Sequence, residues 1–313
     1  MLRFIAQRVL ATIPVMLVVA LFVFLLLRLS PGDPATVIAG DYATPEAIAR
    51  IRANLGLDRP LHVQFVAWIG RLLRGDLGIS IFSDLPVTQL IAQRLEPTVA
   101  LAGCTLLLIV AVAVPLGTIA AWKAGSWIDR GVMILAVLGF SIPVFVLGYI
   151  LIYIFAIDLR WLPVQGYVSP LQDFGAFLRH MILPSVALSG FLIALIARIT
   201  RASVREVLDE DYIRTAHAKG LTEAAVLVRH ALRNAAVPVV TMIGIAIAIL
   251  LGGVVVTESV FNIPGLGRLV FDAILKRDYP IIQGLILAFS FVYILINLAI
   301  DIVYTALDPR IRY

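Results

Sequence analysis

Six long stretches without a charged residue constrain the fold of this 313-residue chain more than any other feature. They cover residues 9–27, 98–122, 131–157, 181–197, 235–257 and 279–300. A helix needs roughly 20 residues to cross the hydrocarbon core of a bilayer. Only the fourth stretch, with 17 residues, falls clearly short of that length, and we expect its helix to begin before Met181. The pattern therefore predicts six transmembrane helices.

The composition supports a membrane protein. The chain is 61% hydrophobic and 14% charged, and its mean hydropathy is +1.00. A water-soluble domain of this size does not tolerate such values. Backbone groups in lipid must find hydrogen-bond partners within the protein, and a helix satisfies its own. The fold class that follows is an all-α polytopic membrane protein.

The distribution of Lys and Arg predicts the orientation. With the N-terminus inside, the cytosolic segments hold 13 of these residues, whereas the short outer loops hold five. Positive charge is enriched in cytoplasmic loops, so both termini are predicted to be cytosolic. The basic isoelectric point of 9.6 then follows from topology and does not indicate a nucleic-acid partner.

The first outer segment, residues 30–96, contains signals for helices of its own. Thr44 precedes Pro45 as in a capped helix start, and apolar residues then recur at helical spacing up to Gly56. A second such run follows Pro60. We predict two short amphipathic helices outside the membrane, which either cover the ends of the spans or receive a partner.

The chain is divided accordingly. The predicted regions are a first transmembrane helix (1–29), an extracytoplasmic insertion (30–96), a transmembrane domain with spans two to six (97–305) that includes a cytosolic region (198–234), and a cytosolic tail (306–313).

Missing residue types disfavour several functions. None of the six stretches contains Asp, Glu, Lys, Arg or His, residue types that ion-coupled transporters usually place at membrane depth. The chain has no His-Glu-x-x-His pattern and no Gly-Lys dipeptide, which a phosphate-binding loop requires. Its single cysteine, Cys104, excludes an intramolecular disulfide. An ion-coupled transporter and a membrane-bound enzyme remain as less favoured alternatives.

The charged region 198–234 carries 12 of the 45 charged residues of the chain. Three arginines at helical spacing predict that the fourth span continues into the cytosol, and Thr222 predicts the start of a helix that leads to the fifth span. Between them, Asp211 as a cap and Gly220 as an end predict a short helix over 212–219.

One face of this short helix is rich in small residues. Ile213, Ala216 and Gly220 share it, and Arg214 and Lys219 lie at its rim. Small side chains permit close approach of another surface, and the two cations suit acidic groups around it. We therefore predict that this face docks onto another protein.

Two segments resemble the coupling-helix signature of binding-protein-dependent ABC importers, in its peptide and nickel variant. They read Arg214-Thr-Ala-His-Ala-Lys-Gly220 and Arg229-His-Ala-Leu-Arg-Asn-Ala-Ala-Val-Pro238. The general signature begins with Glu-Ala-Ala, whereas the matching positions here are Arg214, Thr215 and Ala216. The segment Glu223-Ala-Ala225 has that sequence but follows the glycine, so it is not the matching part of the signature. Further motifs in the same order are similar to the B-type permease of dipeptide and oligopeptide uptake systems: Ser30-Pro-Gly-Asp-Pro34, Gly56-Leu-Asp-Arg-Pro60, Gly75-Asp-Leu-Gly78, Arg94-Leu-Glu-Pro-Thr98, Phe140-Ser-Ile-Pro143, Glu258-Ser-Val-Phe-Asn-Ile-Pro-Gly-Leu-Gly267, Arg277-Asp-Tyr-Pro280 and Asp308-Pro-Arg310.

The resemblance implies a type I ABC importer permease fold in the bacterial cytoplasmic (inner) membrane. It implies three kinds of partner besides membrane lipid: a second homologous permease subunit in a heterodimer, two ATP-binding subunits, and an extracytoplasmic substrate-binding protein. ATP and Mg would be bound by the ATPase subunits, so no cofactor, metal or catalytic residue is expected in this chain. The residues that it assigns to the ATPase-coupling helix are Tyr212, Ile213, Arg214, Thr215, Ala216, His217, Ala218, Lys219 and Gly220.

The implied function is translocation of dipeptides or oligopeptides by alternating access. A glutathione-like peptide, nickel or another small solute stays open as cargo, because the binding protein is expected to set specificity. No residue is indicated as lining the substrate path.

Overall fold

The computed structural model describes residues 2–29, 35–36, 44–54 and 57–307. Its regular elements are helical, apart from one isolated bridge between Ile79 and Pro86. We number the helices α1 (Leu2–Leu29), α2 (Pro45–Asn54), α3 (Leu61–Leu72), α4 (Val87–Trp122), α5 (Trp127–Ser141), α6 (Val144–Leu151), α7 (Phe174–Leu208), α8 (Asp211–Ala218), α9 (Glu223–Ala225), α10 (Ala236–Val260), α11 (Leu266–Lys276) and α12 (Tyr279–Leu307). Helices α6 and α9 continue as π-helical segments over Ile152–Asp158 and Val226–Leu232. The predicted all-α class is confirmed.

Within the described residues, four helices are long and apolar enough to cross a membrane: α4, α7, α10 and α12. Helix α5, together with α6 and its π-helical segment, makes a fifth candidate. The first predicted span lies in α1, which is apolar over Leu10–Leu25. Six spans are therefore compatible with the structure, and the first of them stays a prediction.

The third predicted span is sharply broken. The uncharged stretch 131–157 was predicted to form one span, but the helices over Trp127–Ser141 and Val144–Asp158 are bent by 103° relative to each other. Ile142 has an extended backbone (φ −98°, ψ 117°) between α5 and α6. The ring of Pro143 disfavours helical geometry at the residue before it, which explains where α5 ends.

The fourth span is longer than its apolar stretch, as predicted. Helix α7 begins at Phe174, where the Asp173 side chain accepts a hydrogen bond from the Ala176 amide. It then runs without interruption through Pro184 to Leu208. The prediction that this span starts before Met181 is confirmed.

Contacts divide the chain into two units, Met1–Leu95 with Leu269–Ile294, and Glu96–Arg268 with Leu295–Tyr313. In the first unit, α3 packs through Trp68 on Phe24 of α1 and Leu287 of α12. The rings of Phe24 and Trp68 lie 5.7 Å apart. This packing supports the interpretation that the outer helices cover the spans.

The core of the second unit is built around α7. In its most apolar 18-residue window, 56% of the residues are buried, more than in any other candidate span of the described residues. Leu192 and Ile196 of α7 are enclosed with Ile109 of α4 and Leu250 of α10. Helix α7 is thus the element to which the other spans of this unit attach.

A buried carboxylate closes the end of α10. The fifth apolar stretch stops at Thr257, but the helix continues to Val260 and takes in Glu258, which is fully buried. Its carboxylate accepts hydrogen bonds from the Thr98 hydroxyl (2.6 Å) and the Arg268 amide (2.9 Å). An engaged carboxylate of this kind serves structure, so it does not revive the ion-coupled alternative.

Two glycines make room for this carboxylate. A Cβ built on Gly265 would collide with the Glu258 carboxyl group, and one on Gly267 would come within 2.6 Å of the Val255 Cα. The close approach explains the glycines of the segment from Glu258 to Gly267, because any larger residue would displace the chain that returns over the helix end.

Candidate coupling region

The region 198–234 folds into three connected helices, as predicted. Helix α7 carries it from the membrane side to Leu208, α8 spans Asp211–Ala218, and α9 with its π-helical segment runs from Glu223 to Leu232. The Thr222 hydroxyl accepts a hydrogen bond from the Ala225 amide, which confirms the predicted cap. The polar connection between the fourth and fifth spans is therefore an ordered element.

The start of α8 differs by one residue from the prediction. Glu210, with extended backbone, occupies the capping position but its side chain makes no capping bond. Asp211 was expected to cap the helix but lies in its first turn, where it accepts a hydrogen bond from Arg214 (3.1 Å). An acidic residue in the first turn still interacts favourably with the helix dipole.

Gly220 ends α8 as predicted. Its φ of +79° is a left-handed conformation that favours glycine. The Gly220 amide donates to the His217 carbonyl (2.9 Å), and the Leu221 amide donates to the Ala216 carbonyl (3.3 Å). Together these bonds form a Schellman motif, which satisfies carbonyls that a helix end would otherwise leave unpaired.

Two of the three residues of the small-residue face of α8 are turned inward, which corrects the sequence prediction. Ile213 and Ala216 are buried, at 2% and 6% exposure, against Val226 and the end of α7. This chain therefore covers those two positions of the face predicted to accept another protein, whereas Gly220 is exposed. Helical periodicity showed that Ile213 and Ala216 share a face, but not whether a partner protein or the rest of this chain would cover it.

The outward face of α8 is polar. Seven of the nine residues assigned to the coupling helix are exposed: Tyr212, Arg214, Thr215, His217, Ala218, Lys219 and Gly220. Around Gly220 there is open space where a side chain would project. Any surface that docks onto α8 must therefore meet these residues and not Ile213 or Ala216.

A second small core ties this region to the spans. Ala231 and Ala235 are buried against Val204 of α7 and Ala121 of α4. Helices α4 and α7 also approach closely at Gly117, where a Cβ would lie 2.5 Å from the Ala197 carbonyl oxygen. Close packing of small residues leaves little room for independent movement.

An ion pair joins α7 to α5. Arg201 of α7 donates two hydrogen bonds to Asp129 in the first turn of α5, Nε to Oδ1 at 2.5 Å and Nη2 to Oδ2 at 2.8 Å. The Gly125 amide also donates to Asp129 Oδ2 (2.9 Å). Sequence reasoning did not pair these residues. The sequence signal was Ser126 three positions before Asp129, a pattern typical of helix starts.

Among the described residues, no group of three or more His, Cys, Asp or Glu side chains could hold a metal ion. The arrangement is suited to contact with another protein. The apolar side of α8 is packed against Val226 and the end of α7, and its polar side is exposed.

Two family models match the chain. The model described as "Binding-protein-dependent transport system inner membrane component" matches residues 113–313, and a model for the N-terminal part of such components matches residues 1–102. The chain belongs to this family of binding-protein-dependent transport components. It is accordingly a multi-pass protein of the inner membrane, as predicted.

Curated relatives of this transport component are similar over their full length. A protein of Sinorhizobium fredii, named "Probable peptide ABC transporter permease protein", is 56% identical over 310 residues, with 99% of each chain covered. A glutathione transport system permease protein of Salmonella choleraesuis is 48% identical over 313 residues, with 100% of each chain covered. The predicted resemblance to peptide-importer permeases is confirmed.

A solved structure shares the fold of this transport component. A chain of the methionine ABC transporter MetNI in an inward-facing conformation superposes with a TM-score of 0.58 at 17% identity. The match covers 70% of this chain and 97% of the MetNI chain. The type I importer permease fold is thereby confirmed.

Proposed function

We propose that this chain is one permease subunit of an ATP-driven peptide importer, and that the outward face of α8 receives movement from a partner ATPase. A second homologous permease subunit would complete the heterodimer. Two ATPase subunits would bind ATP and Mg, and an extracytoplasmic binding protein would deliver the cargo. The names of the S. fredii and Salmonella relatives support a peptide as the transported molecule.

The coupling role is supported by the difference between the two sides of α8. Its apolar residues Ile213 and Ala216 are anchored on α7 and Val226, whereas its polar residues are exposed. A force applied to the outward face would therefore pass to α7 and, through the cores at Ala231 and the Asp129–Arg201 pair, to α4 and α5. Differential contact in two states is what transmits such work.

The orientation of the chain belongs to the same proposal. If both termini are cytosolic, α8 faces the cytosol, where an ATPase can reach it. In a Cys104→Ser background, a cysteine at Ala218 should react with a membrane-impermeant maleimide only after permeabilisation. A cysteine at Gln172 should react in intact cells. The reverse pattern would remove α8 from the reach of an ATPase.

The name of the Salmonella relative bears on which kind of peptide is transported. Its name favours the tripeptide glutathione as a second candidate beside dipeptides and longer peptides. Uptake into proteoliposomes that contain the complete transporter, with labelled dipeptide, oligopeptide, glutathione and nickel compared side by side, distinguishes these candidates. Uptake of nickel alone would contradict the peptide proposal.

The coupling role is tested by reversing charge on the outward face. Arg214→Glu with Lys219→Glu should leave the transporter assembled but reduce ATP-driven uptake at least tenfold, because both cations lie on the exposed side of α8. Arg233→Glu, an exposed cation beyond the π-helical segment, is the matched control and should retain most of the uptake. Equal uptake by the double variant and the control would refute docking on this face.

A further inference from the structure

An open basic cavity lies on the connection between the broken third span and α7. Its volume is about 700 Å³, and its lining includes Arg160, Trp161, Arg179 and His180. The connection is held in place by two hydrogen bonds, from the Gly166 amide to the Phe261 carbonyl (3.0 Å) and from the Tyr167 hydroxyl to Glu96 (2.9 Å). In the proposed topology this cavity opens to the extracytoplasmic side.

The two arginines of the cavity have no ionic partner among the described residues. Both side chains are exposed, and no carboxylate lies within 4 Å of either guanidinium group in the described part of the chain. Arg179 makes one long contact, from Nη2 to the Trp161 carbonyl (3.5 Å). Asp173, the acidic residue of the lining, is committed to the start of α7, where Oδ1 accepts from the Ala176 amide.

The remaining polar side chain of the lining is His180, which is already engaged with the backbone. His180 Nδ1 lies 2.8 Å from the Ala176 carbonyl oxygen, so Nδ1 carries a proton and donates to it. The indole of Trp161, 60% exposed, adds an apolar wall with an N–H donor. Two planar guanidinium groups beside such a wall suit a carboxylate, which an arginine can bind through two parallel hydrogen bonds.

We infer that this cavity receives an acidic side chain from the surface of the extracytoplasmic binding protein, with Arg160 and Arg179 as the cationic contacts. The inference rests on the proposed importer function and names the surface that such a partner uses. The family to which the chain belongs is defined by dependence on a binding protein. An exposed, unpaired pair of cations is the feature that steers and orients an acidic partner.

The location favours a protein partner over the cargo. The cavity is formed by the outer connection and by the beginning of α7, whereas the uncharged stretches 131–157 and 181–197 lie outside its lining. A peptide bound at the cavity would therefore lie outside these uncharged stretches.

The test measures the affinity of the binding protein for the complete transporter in nanodiscs. Arg160→Asn removes one charge and keeps a residue type that tolerates the left-handed backbone at this position (φ +56°). Combined with Arg179→Gln, it should weaken binding at least tenfold and flatten the dependence of the association rate on salt. Arg74→Gln, an exposed arginine of the outer segment that is not part of the cavity lining, is the control and should change the affinity less than twofold.

The possible outcomes separate the alternatives. Wild-type affinity in the double variant would overturn the inference, as would weakened cargo uptake with unchanged binding-protein affinity. Size-exclusion elution and basal ATP hydrolysis at wild-type levels show that the variant is assembled, and Arg179→Lys should restore part of the affinity if charge is the cause. Failure of the wild-type transporter to import any peptide would refute the proposed function without altering the docking measurement.

Discussion

Arg201 and Asp129, which lie 72 positions apart in the sequence, form a bidentate ion pair. The pair joins the part of α7 that leads into the coupling region to the first turn of α5. The Asp129 side chain is only 6% exposed, whereas that of Arg201 is 32% exposed. A carboxylate that is this deeply buried requires donors, and Arg201 supplies two of them.

Arg201→Ala should therefore destabilise the protein. The substitution removes both guanidinium donors from a buried carboxylate, and a loss of about 1–3 kcal/mol is typical for such a group. Thermal unfolding of the detergent-solubilised transporter measures the change. Arg205→Ala is the matched control, since Arg205 faces the exposed Asp209 at 3.4 Å and such pairs contribute less than about 1 kcal/mol. Equal losses in the two variants would contradict the structural role of the Asp129–Arg201 pair.

Ile213→Ala should loosen α8 from its support. The Ile213 side chain is packed against Val226 and Leu208, and removing such a side chain costs about 2 kcal/mol or more. Amide hydrogen exchange over 211–218 should therefore accelerate at least tenfold. Lys219→Ala, on the exposed side, should leave exchange nearly unchanged. If Lys219→Ala accelerated exchange as much as Ile213→Ala, the assigned inward face would be wrong.

Gly220→Ala should weaken the end of α8 through the backbone alone. No atom lies within 4 Å of an added Cβ, but the φ of +79° is unfavourable for alanine, at a cost of about 1–2 kcal/mol. Exchange of the amides at 220 and 221 should rise, because both donate in the Schellman motif. Gly220→Asn should be milder, since asparagine adopts this conformation more readily. A larger effect of Asn than of Ala would point to a steric cause instead.

Gly265→Ala should be harmful because of Glu258. The added Cβ would collide with the buried carboxyl group, and overpacking of this kind costs about 1–3 kcal/mol. Glu258→Ala alone is also harmful, since it removes the carboxylate that accepts hydrogen bonds from the Thr98 hydroxyl and the Arg268 amide. The double variant should lose less stability than the sum of the two single losses, as measured by thermal unfolding. Simple additivity would show that the two positions do not meet.

The positions of the helices could be predicted from the sequence because each signal is local. Apolar length predicted the spans, and Thr222 and Gly220 marked helix ends through their own hydrogen bonds and φ preferences. The structure confirms these two helix ends. The bend of 103° after Ser141 was less accessible. The residues on both sides of the bend are apolar, so the hydrophobic pattern does not indicate how strongly the two helices are bent relative to each other.

The surface that covers α8 was not predictable for a different reason. Ala216 is small enough to fit a partner protein or the interior of its own chain, and only tertiary packing against Val226 decides between them. The pairing of Asp129 with Arg201 depends in the same way on how α5 and α7 meet. Long-range contacts of this kind leave little trace in a single sequence.

The central claim is that the outward face of α8 contacts an ATP-binding subunit. A photo-crosslinking amino acid at Thr215, which lies on that face, tests it most directly in the complete transporter. If the outward face of α8 contacts the ATP-binding subunit, we expect an adduct with that subunit whose yield changes when ATP is added. We expect no such adduct from the same crosslinker at Gln172. Adducts with the ATP-binding subunit from Gln172 but none from Thr215 would contradict it.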